Sequence, residues 1–280
     1  MTIREALRAA TARLTQASVP DADVDASYLL ASVLKEDTLA MRINGHRELT
    51  EEQRAAFGQL CDRRAAREPL QYILGETEFM GLTFHVESGV LIPRADTEIL
   101  VEKALELMRP GARVLDIGTG SGAIAISLAK LGKSARVTAV DVSDKALEIA
   151  RKNAESNGAN VEFIKSDCFS ALNGRKYDMI VSNPPYISDD EMRGLMPEVK
   201  LEPELALFGG ADGLDFYRRI SREAPGYLNE GGCLLFEIGW LQKDAVSALV
   251  QTEIGEPFAL RDYGQNWRVV GAQLKPARNR

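Results

Sequence analysis

The stretch Met179-Ile180-Val181-Ser182-Asn183-Pro184-Pro185-Tyr186-Ile187 decides the fold class that this chain is expected to adopt. Its opening run of apolar and β-branched residues is typical of a buried parallel strand. Asn183-Pro184-Pro185 must end that strand, because proline has no N–H to donate to a neighbouring strand. A rigid polar tip is therefore predicted at the carboxyl end of a strand, the edge at which open α/β sheets bind ligands.

The tip carries groups suited to a weak nitrogen nucleophile. An amide or exocyclic amine nitrogen becomes reactive when acceptors on one side hold its two N–H groups, and the Asn183 side-chain oxygen and Pro184 carbonyl are candidate acceptors. Pro184 and Pro185 would hold both oxygens in place, and Tyr186 would offer a flat face for a planar amide or base. Because Asn-Pro also marks ordinary turns, the tip alone leaves a site and a plain turn equally open.

Around the tip, strands and helices alternate, which predicts a parallel sheet with right-handed crossovers. The last two β runs are joined by a short turn and predict an antiparallel hairpin at the sheet edge. The predicted strands cover 113–117, 137–140, 161–164, 179–182, 233–238, 258–262 and 268–274, and the predicted helices cover 123–130, 145–157, 214–228 and 243–250.

The chain before this sheet has the pattern of short helices. One of them opens at Thr50 with a capping box that Gln53 completes. Alternating apolar residues then predict a hairpin between about 77 and 90. We therefore expect three parts, which are a helical domain at 1–75, a linking β-hairpin at 76–92 and an α/β domain at 93–280.

Three shorter features complete the pattern. Arg63, Arg64 and Arg67 form one basic corner on a helix, which could meet an acidic partner but is expected to be a solvated helix end. Asp96 or Thr97 is expected to cap a helix that begins just before Ile99. Residues 188–213 are acidic and contain proline and glycine, and they are too long for a routine connection, which predicts a functional loop.

Composition excludes several classes of protein. The net charge of −7 and pI of about 5.1 argue against a protein that grips nucleic acid through its phosphates. Cys61, Cys168 and Cys233 form no CxxC pair, which predicts reduced thiols in a cytosolic setting. His46 and His85 are the only histidines, so no transition-metal site is expected. No apolar run approaches the roughly 20 residues that cross a bilayer, so no membrane partner is expected.

A glycine loop, Gly118-Thr119-Gly120-Ser121-Gly122, lies between a predicted strand and helix, where backbone can approach a ligand closely. Asp141 follows Gly122 by nineteen residues and ends the next strand, where a carboxylate would accept both hydroxyls of a ribose. Asp167 would take an adenine amino group, with Cys168 flanking the ring. The loop also satisfies the loose dinucleotide fingerprint, so its motif alone does not separate NAD from S-adenosylmethionine.

Two observations favour S-adenosylmethionine. A nicotinamide enzyme needs a proton donor or acceptor, and both histidines lie outside the sheet region. The tip instead suits holding an NH2 group in line with a methyl sulfonium. No metal is expected, and the predicted cofactor contacts are Asp116, Gly118, Thr119, Gly120, Ser121, Gly122, Asp141, Asp167, Cys168 and Asn183.

Several motifs together carry a resemblance to a known family. They are Asp116–Gly122, Asn183–Ile187, Pro93-Arg94 with Thr97-Glu98, and Glu202-Pro203 with Gly209-Gly210 and Asp212-Gly213. In this combination the chain closely resembles the bacterial peptide chain release factor glutamine methyltransferases, the PrmC/HemK family. It departs from the family at Ala95, where a second proline is usual, and at Cys168, where some relatives have tryptophan.

This resemblance implies a class I S-adenosylmethionine-dependent methyltransferase. The implied fold is α/β and Rossmann-like, with a seven-stranded sheet ending in an antiparallel hairpin, a linking β-hairpin and an N-terminal helical domain that recognises the substrate. The implied reaction methylates N5 of the glutamine in the Gly-Gly-Gln loop of release factors. We expect a cytoplasmic monomer without a direct nucleic acid partner, and Asn183, Pro184, Pro185 and Tyr186 as its catalytic residues.

Three alternatives stay open at this point. A DNA or RNA adenine-N6 methylase shares the tip, but it needs a basic surface that an acidic chain does not offer. A related glutamine methyltransferase that acts on a ribosomal protein would carry the same motifs. A cofactor-binding adaptor without catalysis would differ from both, because it would transfer no labelled methyl group to a release factor.

Overall fold

The computed structural model describes residues 1–275, which form two compact units. The helical unit consists of Met1–Glu76 together with Met196–Leu201. The sheet unit consists of Thr77–Leu195 and the chain from Glu202 onward. The division into 1–75, 76–92 and 93–280 stays a prediction, and its last five residues lie outside the described chain. None of the helices in residues 1–275 is long and apolar enough to cross a membrane.

The helical unit packs its helices around one apolar core. Ile3, Leu14, Leu29, Leu30 and Met41 are fully buried in this core. The capping box predicted at Thr50 is confirmed, and a second one opens the first helix. The helices are α1 (Ile3–Gln16), α2 (Ala22–Leu34), α3 (Thr38–Ile43), α4 (Glu51–Ala65) and α5 (Leu70–Leu74).

A buried ion network ties the segment Met196–Leu201 into the helical unit. Arg64 on α4 lies 2.6 Å from Asp25 on α2 and 2.9 Å from Glu198, and it is only 5% exposed. Arg67 donates two hydrogen bonds of 2.6 Å to the carboxylate of Glu198. The expected solvated corner is therefore wrong for Arg64, because its partners lie far away in the sequence and enclose its guanidinium.

The sheet unit contains a two-stranded hairpin and a mixed seven-stranded sheet in the order β5-β4-β3-β6-β7-β9-β8. Strands β3 to β7 pair in parallel, and β9 runs antiparallel to both of its neighbours. The strands are β1 (Glu76–Phe79), β2 (Leu82–His85), β3 (Arg113–Ile117), β4 (Arg136–Asp141), β5 (Val161–Lys165), β6 (Tyr177–Ser182), β7 (Leu228–Glu237), β8 (Pro257–Arg261) and β9 (Trp267–Gln273).

Helices cover both faces of this sheet, as the alternating pattern predicts. They are α6 (Glu98–Leu107), α7 (Ala123–Leu131), α8 (Asp144–Ser156), α9 (Asp189–Gly194), α10 (Asp215–Glu223) and α11 (Lys243–Glu253). Two apolar clusters lie against the sheet, one of them packed around Leu100 and Ile126 and the other around Phe169 and Phe236. The predicted α/β fold and its terminal antiparallel hairpin are confirmed.

Two local predictions are wrong. The helix predicted over 214–228 ends at Glu223, because Pro225 forces a short 3-10 turn at Ala224–Gly226, and β7 already begins at Leu228. Neither candidate caps α6 through its side chain, although Thr97 occupies the N-cap position. The Thr97 hydroxyl instead accepts a hydrogen bond from the side chain of Asn183.

We expect Glu198→Gln to lower the free energy of unfolding of the helical unit by about 2 kcal/mol at neutral pH. Burial raises the pKa of Glu198, but hydrogen bonds from Arg67 and Arg64 outweigh burial and lower it from 4.5 to about 2. The stabilisation is therefore complete above about pH 4.5 and is lost as the pH falls towards 2.

Urea unfolding of the full chain, followed through the amide signals of α2 and α4 at several pH values, measures this effect. Glu148→Gln is the matched control, because its pair with Lys152 lies on an exposed helix face and contributes little. A wild-type advantage over Glu198→Gln that persists unchanged at pH 2 would contradict the assignment.

Candidate active site

The Asn183–Tyr186 tip follows β6 at the carboxyl edge of the sheet, between the ends of β3 and β7. The hydroxyl of Ser182 donates to the carbonyl of Ile117 at 2.8 Å and joins β6 to β3 at this edge. Asn183 is half-buried and Pro184 is buried. The predicted strand and its abrupt end are therefore confirmed, and the tip lies where such sheets bind ligands.

Two glycines after the long loop let the chain pass directly over the tip. A Cβ on Gly209 would lie 2.6 Å from the carbonyl oxygen of Pro185 and 2.7 Å from Cα of Tyr186. A Cβ on Gly213 would lie 2.3 Å from the carbonyl oxygen of Tyr186. The Gln242 side chain also donates to that oxygen, at 3.0 Å. Glycine is therefore required at both positions for close backbone contact.

A crevice opens at this edge of the sheet. It brings together most of the predicted site residues, which are Gly118, Gly120, Asp141, Asp167, Cys168, Asn183, Pro184 and Pro185. The glycine loop and the Asn-Pro-Pro tip therefore line the same crevice, as a cofactor next to a nucleophile would need.

Five predicted residues do not line the crevice. They are Asp116, Thr119, Ser121, Gly122 and Tyr186. Asp116 is fully buried and accepts a hydrogen bond of 2.7 Å from the Thr119 hydroxyl, and burial raises its pKa to about 7. This hydrogen bond joins Asp116, at the end of β3, to the glycine loop.

The other three of these residues are also part of the supporting structure. Ser121 is buried, and its carbonyl accepts a hydrogen bond from Asn153 at 2.9 Å. Gly122 has φ +85°, and a Cβ there would lie 2.8 Å from the end of Ile126. Tyr186 packs against the apolar cluster around Phe236, where burial raises the pKa of its phenol to about 12.

Asp141 holds the glycine loop through its carboxylate. One oxygen accepts the N–H of Gly120 and the other accepts the N–H of Ser143, both at 2.9 Å. Burial raises the pKa of Asp141, while these hydrogen bonds oppose the shift. Each oxygen retains a further lone pair. The carboxylate therefore fixes the loop and can still accept from a ligand in the crevice.

Sequence reasoning missed several residues that shape the crevice. Arg219 on α10 donates to the side chain of Asp167 at 2.6 Å and to its carbonyl at 3.0 Å. These two residues are 52 positions apart, so no local pattern could pair them. Apolar residues that the motifs did not indicate, Val90, Leu91, Leu205, Phe216 and Ile220, also line the crevice.

Glu202 joins two motifs that lie far apart in the sequence. Its buried carboxylate accepts from the N–H of Ile92 at 3.0 Å and forms an ion pair with Arg94. The crevice-lining residues Leu91 and Pro203 directly flank this contact. The Pro-Arg and Glu-Pro stretches therefore meet in one contact at the rim of the crevice.

The groups that line the crevice fit S-adenosylmethionine. Gly118 and Gly120 line it with positive φ, and a Cβ on either would meet no heavy atom within 4 Å, which leaves space for a ligand beside the loop. Carboxylates at Asp141 and Asp167 offer acceptors for ribose hydroxyls and an adenine amine. No group of three or more His, Cys, Asp or Glu residues within 1–275 is placed to hold a metal ion.

Known protein families and relatives match nearly the whole chain. Residues 88–197 match the family described as "Methyltransferase small domain", and residues 5–75 match "PrmC N-terminal domain". A release factor glutamine methyltransferase from Geobacter sulfurreducens is 44% identical over 275 residues, covering 98% of this chain and 97% of the relative. A release factor glutamine methyltransferase from Cereibacter sphaeroides is 43% identical over 281 residues, covering 99% of this chain and 100% of the relative.

Solved structures share the fold of the sheet unit. A methyltransferase from Pyrococcus furiosus aligns with a TM-score of 0.55 at 24% identity, covering 70% of this chain and 89% of that one. A 16S rRNA N2 G1207 methyltransferase from T. thermophilus, solved with AdoMet and guanosine, aligns with a TM-score of 0.52 at 21% identity. The alignment covers 71% of this chain and 50% of that one. The predicted methyltransferase fold is confirmed.

We expect Gly209→Ala to lower the free energy of unfolding by roughly 1–3 kcal/mol, because the new Cβ would collide with the tip's backbone rather than a flexible side chain. Gly194→Ala is the matched control, since a Cβ there meets nothing within 4 Å. Urea unfolding of both variants measures the difference. Equal free energies of unfolding for the two variants would show that the tip can move away from residue 209 at little cost, so this backbone contact does not hold it.

Proposed function

The chain belongs to the release factor glutamine methyltransferase family, and we propose that it methylates N5 of the glutamine in the Gly-Gly-Gln motif of peptide chain release factors. It is an enzyme that methylates glutamine, and its cofactor is S-adenosylmethionine. We place the reaction in the cytoplasm, where release factors act. The proposal rests chiefly on one observation, the crevice shared by the glycine loop and the Asn-Pro-Pro tip.

The tip offers two acceptors side by side. The Asn183 side chain donates through its nitrogen to Thr97, which leaves its oxygen to accept from a ligand. The carbonyl of Pro184 accepts no hydrogen bond from another backbone N–H within residues 1–275. These two oxygens are therefore available for the two amide hydrogens of a glutamine side chain.

Binding both hydrogens activates the glutamine nitrogen. An amide nitrogen is a poor nucleophile because its lone pair is delocalised, and acceptors that hold its two hydrogens draw electron density back onto nitrogen. S-adenosylmethionine, when bound, would supply an electrophilic methyl group and leave as the thioether S-adenosylhomocysteine, because its bond from sulfur to that methyl group is the one that breaks. The nitrogen gains this methyl group and then loses one proton to solvent, so no strong general base is needed. Positioning by the rigid tip is the main contribution of the protein.

We assign the cofactor to the loop side of the crevice. Gly118 and Gly120 would let backbone approach it, Asp141 would accept from the ribose, and Asp167, held by Arg219, would accept from the adenine amine. Cys168 is buried, and burial raises its pKa to about 11, so it would serve as an apolar neighbour of the ring. Asp116, Thr119, Ser121 and Gly122 would act by shaping the loop.

We propose that the helical unit recognises the release factor. A protein substrate, rather than nucleic acid, agrees with the acidic net charge of the chain. We propose that the enzyme works as a monomer with no direct nucleic acid or membrane partner. The three-part division into 1–75, 76–92 and 93–280 is retained in this proposal.

Replacing Asn183 by Ala should lower the methylation rate by about a hundredfold or more, because one of the two acceptors for the amide hydrogens is lost. Affinity for S-adenosylmethionine should change little, since the loop is untouched. Transfer of a labelled methyl group to a release factor, together with calorimetric titration of the cofactor, measures both. A near-normal rate in this variant would refute the assignment.

The site of methylation is tested by mass analysis of the Gly-Gly-Gln peptide after reaction. We expect one added methyl group on the glutamine, and none on a release factor whose glutamine is replaced by asparagine. Ribosomal proteins and adenine-containing DNA are incubated in parallel as competing substrates. If labelled methyl groups enter one of these molecules and not the release factor, the proposed substrate is wrong.

Asp141→Asn should weaken binding of S-adenosylmethionine by about tenfold or more, because an amide can accept only through its one oxygen. The NH2 group would also face the N–H of Gly120 or Ser143. Asp144→Asn is the control, since its side chain is 77% exposed and pairs with Lys165. Equal cofactor affinity of the two variants would show that Asp141 does not support the cofactor site.

A further inference from the structure

Two loop segments that lie far apart in the sequence line the same crevice. We call them the Val90 wall, whose lining residues lie within 89–91, and the Pro203 wall, whose lining residues lie within 203–206. Neither segment belongs to a strand, and the Pro203 wall contains one short 3-10 turn at Glu204–Ala206. Pairing within the sheet therefore does not hold the two walls together, so other contacts must set their separation.

The Val90 wall is anchored on the cofactor side of the crevice. Val90 is 1% exposed and packs against Ala146 and Ile149 of α8. Helix α8 is capped by Ser143, whose N–H donates to the carboxylate of Asp141 at 2.9 Å. Because the same carboxylate holds the glycine loop, this wall belongs to the part of the crevice that we assign to S-adenosylmethionine.

The Pro203 wall is anchored on the chain that follows the Asn-Pro-Pro tip. Its 3-10 turn is closed by the N–H of Ala206, which donates to the carbonyl of Pro203 at 2.9 Å. The carbonyl of the next residue, Leu207, accepts from the N–H of Ile187 at 2.9 Å, and the carbonyl of Ile187 accepts from the N–H of Gly209 at 2.9 Å. This wall is therefore fixed to the tip side of the crevice.

One buried carboxylate joins the two walls. Glu202 directly precedes the Pro203 wall, and its side chain is 2% exposed. Its Oε2 accepts from the N–H of Ile92, the residue after the Val90 wall, at 3.0 Å, and its Oε1 pairs with Arg94. We call these three residues the rim clasp. They do not line the crevice themselves, so any effect on a bound ligand passes through the walls.

The chemistry of the rim clasp makes it a firm connection. One oxygen of Glu202 is occupied by a main-chain donor and the other by a guanidinium, and hydrogen bonds to an ionised carboxylate are roughly twice as strong as those between neutral groups. Separating the walls would leave a buried carboxylate without partners, which is costly. A ligand enclosed between the walls is therefore expected to leave slowly.

We propose that Glu202 is a positioning residue, which holds the Val90 wall and the Pro203 wall together beside bound S-adenosylmethionine and slows its dissociation. The inference rests on the proposed placement of the cofactor in this crevice, and it does not depend on the identity of the methyl acceptor. Glu202 acts through Leu91 and Pro203, the crevice-lining residues next to the rim clasp.

Glu202→Gln tests the rim clasp with little change in side-chain size. The new NH2 group must face either the N–H of Ile92 or the guanidinium of Arg94, and all of these groups are donors. The probe is S-adenosylhomocysteine, which has the adenosyl group of the cofactor but no methyl group to transfer. We expect its dissociation rate constant to rise by about tenfold or more, while its association rate constant stays within about threefold of the wild type.

Surface plasmon resonance on the immobilised full chain measures both rate constants. A change confined to dissociation separates the rim clasp from a general loss of folded protein, which would lower the amount of ligand bound and leave the dissociation rate constant as it is. An unchanged dissociation rate constant in Glu202→Gln would overturn the proposal.

Glu198→Gln is the matched control. It makes the same substitution at a buried carboxylate in the same loop, whose partners Arg64 and Arg67 belong to the helical unit. Its dissociation rate constant should stay within about twofold of the wild type. An acceleration equal to that in Glu202→Gln would overturn the proposal, because it would indicate a general loosening of the loop instead of the loss of the rim clasp.

Arg94→Gln reaches the same contact from the other wall. Its side chain is 39% exposed, so this variant decides the question if Glu202→Gln does not fold. We expect a rise of about threefold or more in the dissociation rate constant. The double variant should match Glu202→Gln alone, because both changes break one contact. Effects that multiply in the double variant would overturn the proposal.

Methyl transfer to a release factor is measured separately. A wild-type chain that binds S-adenosylhomocysteine but methylates no release factor would refute the proposed substrate, while the rate constants would still decide the rim clasp. A wild-type chain that does not bind S-adenosylhomocysteine would refute the placement of the cofactor and the rim clasp together.

Discussion

The enforced end of β6 is the constraint on which the site depends. Prolines 184 and 185 cannot donate to a neighbouring strand, so β6 stops pairing at Ser182, which lies opposite Ile117 of β3 and Phe236 of β7. The backbone beyond Ser182 is therefore left with unpaired acceptors at the carboxyl edge. Elsewhere in a fold such acceptors would be destabilising, but here Asn183, Pro184 and Pro185 line the crevice.

Close backbone packing then turns this tip into a rigid one. Gly209 and Gly213 let the returning chain lie against Pro185 and Tyr186, and Gln242 closes the contact by donating to the Tyr186 carbonyl. A tip held this way loses little further freedom when the substrate binds, which favours the reaction through orientation. The glycines are thus as necessary to the site as the residues that contact the substrate, although no chemistry is attached to them.

Periodicity and strand-ending residues were enough to predict the order of the sheet elements, because those signals are local. They also placed Asn183, Pro184, Asp141 and the glycine loop at one edge, since carboxyl ends of parallel strands meet there. What they could not predict are contacts made across long separations. Burial of Arg64, for example, depends on Glu198, and a basic cluster at a helix end usually lies in solvent.

The same limit explains why Thr97 was taken for a helix cap. That prediction used the nearest plausible partner along the chain, the start of α6. The structure instead gives the Thr97 hydroxyl a hydrogen bond from Asn183, 86 positions further along the chain, which no local pattern encodes. Asp116 and Glu237 are alike. Both are buried near strand ends, and burial raises the pKa of each to about 7. One oxygen of each carboxyl also has no hydrogen-bond partner within residues 1–275. An apolar side chain would fill either position at lower cost, so packing alone does not account for these two carboxyls at the edge of the sheet that carries the crevice.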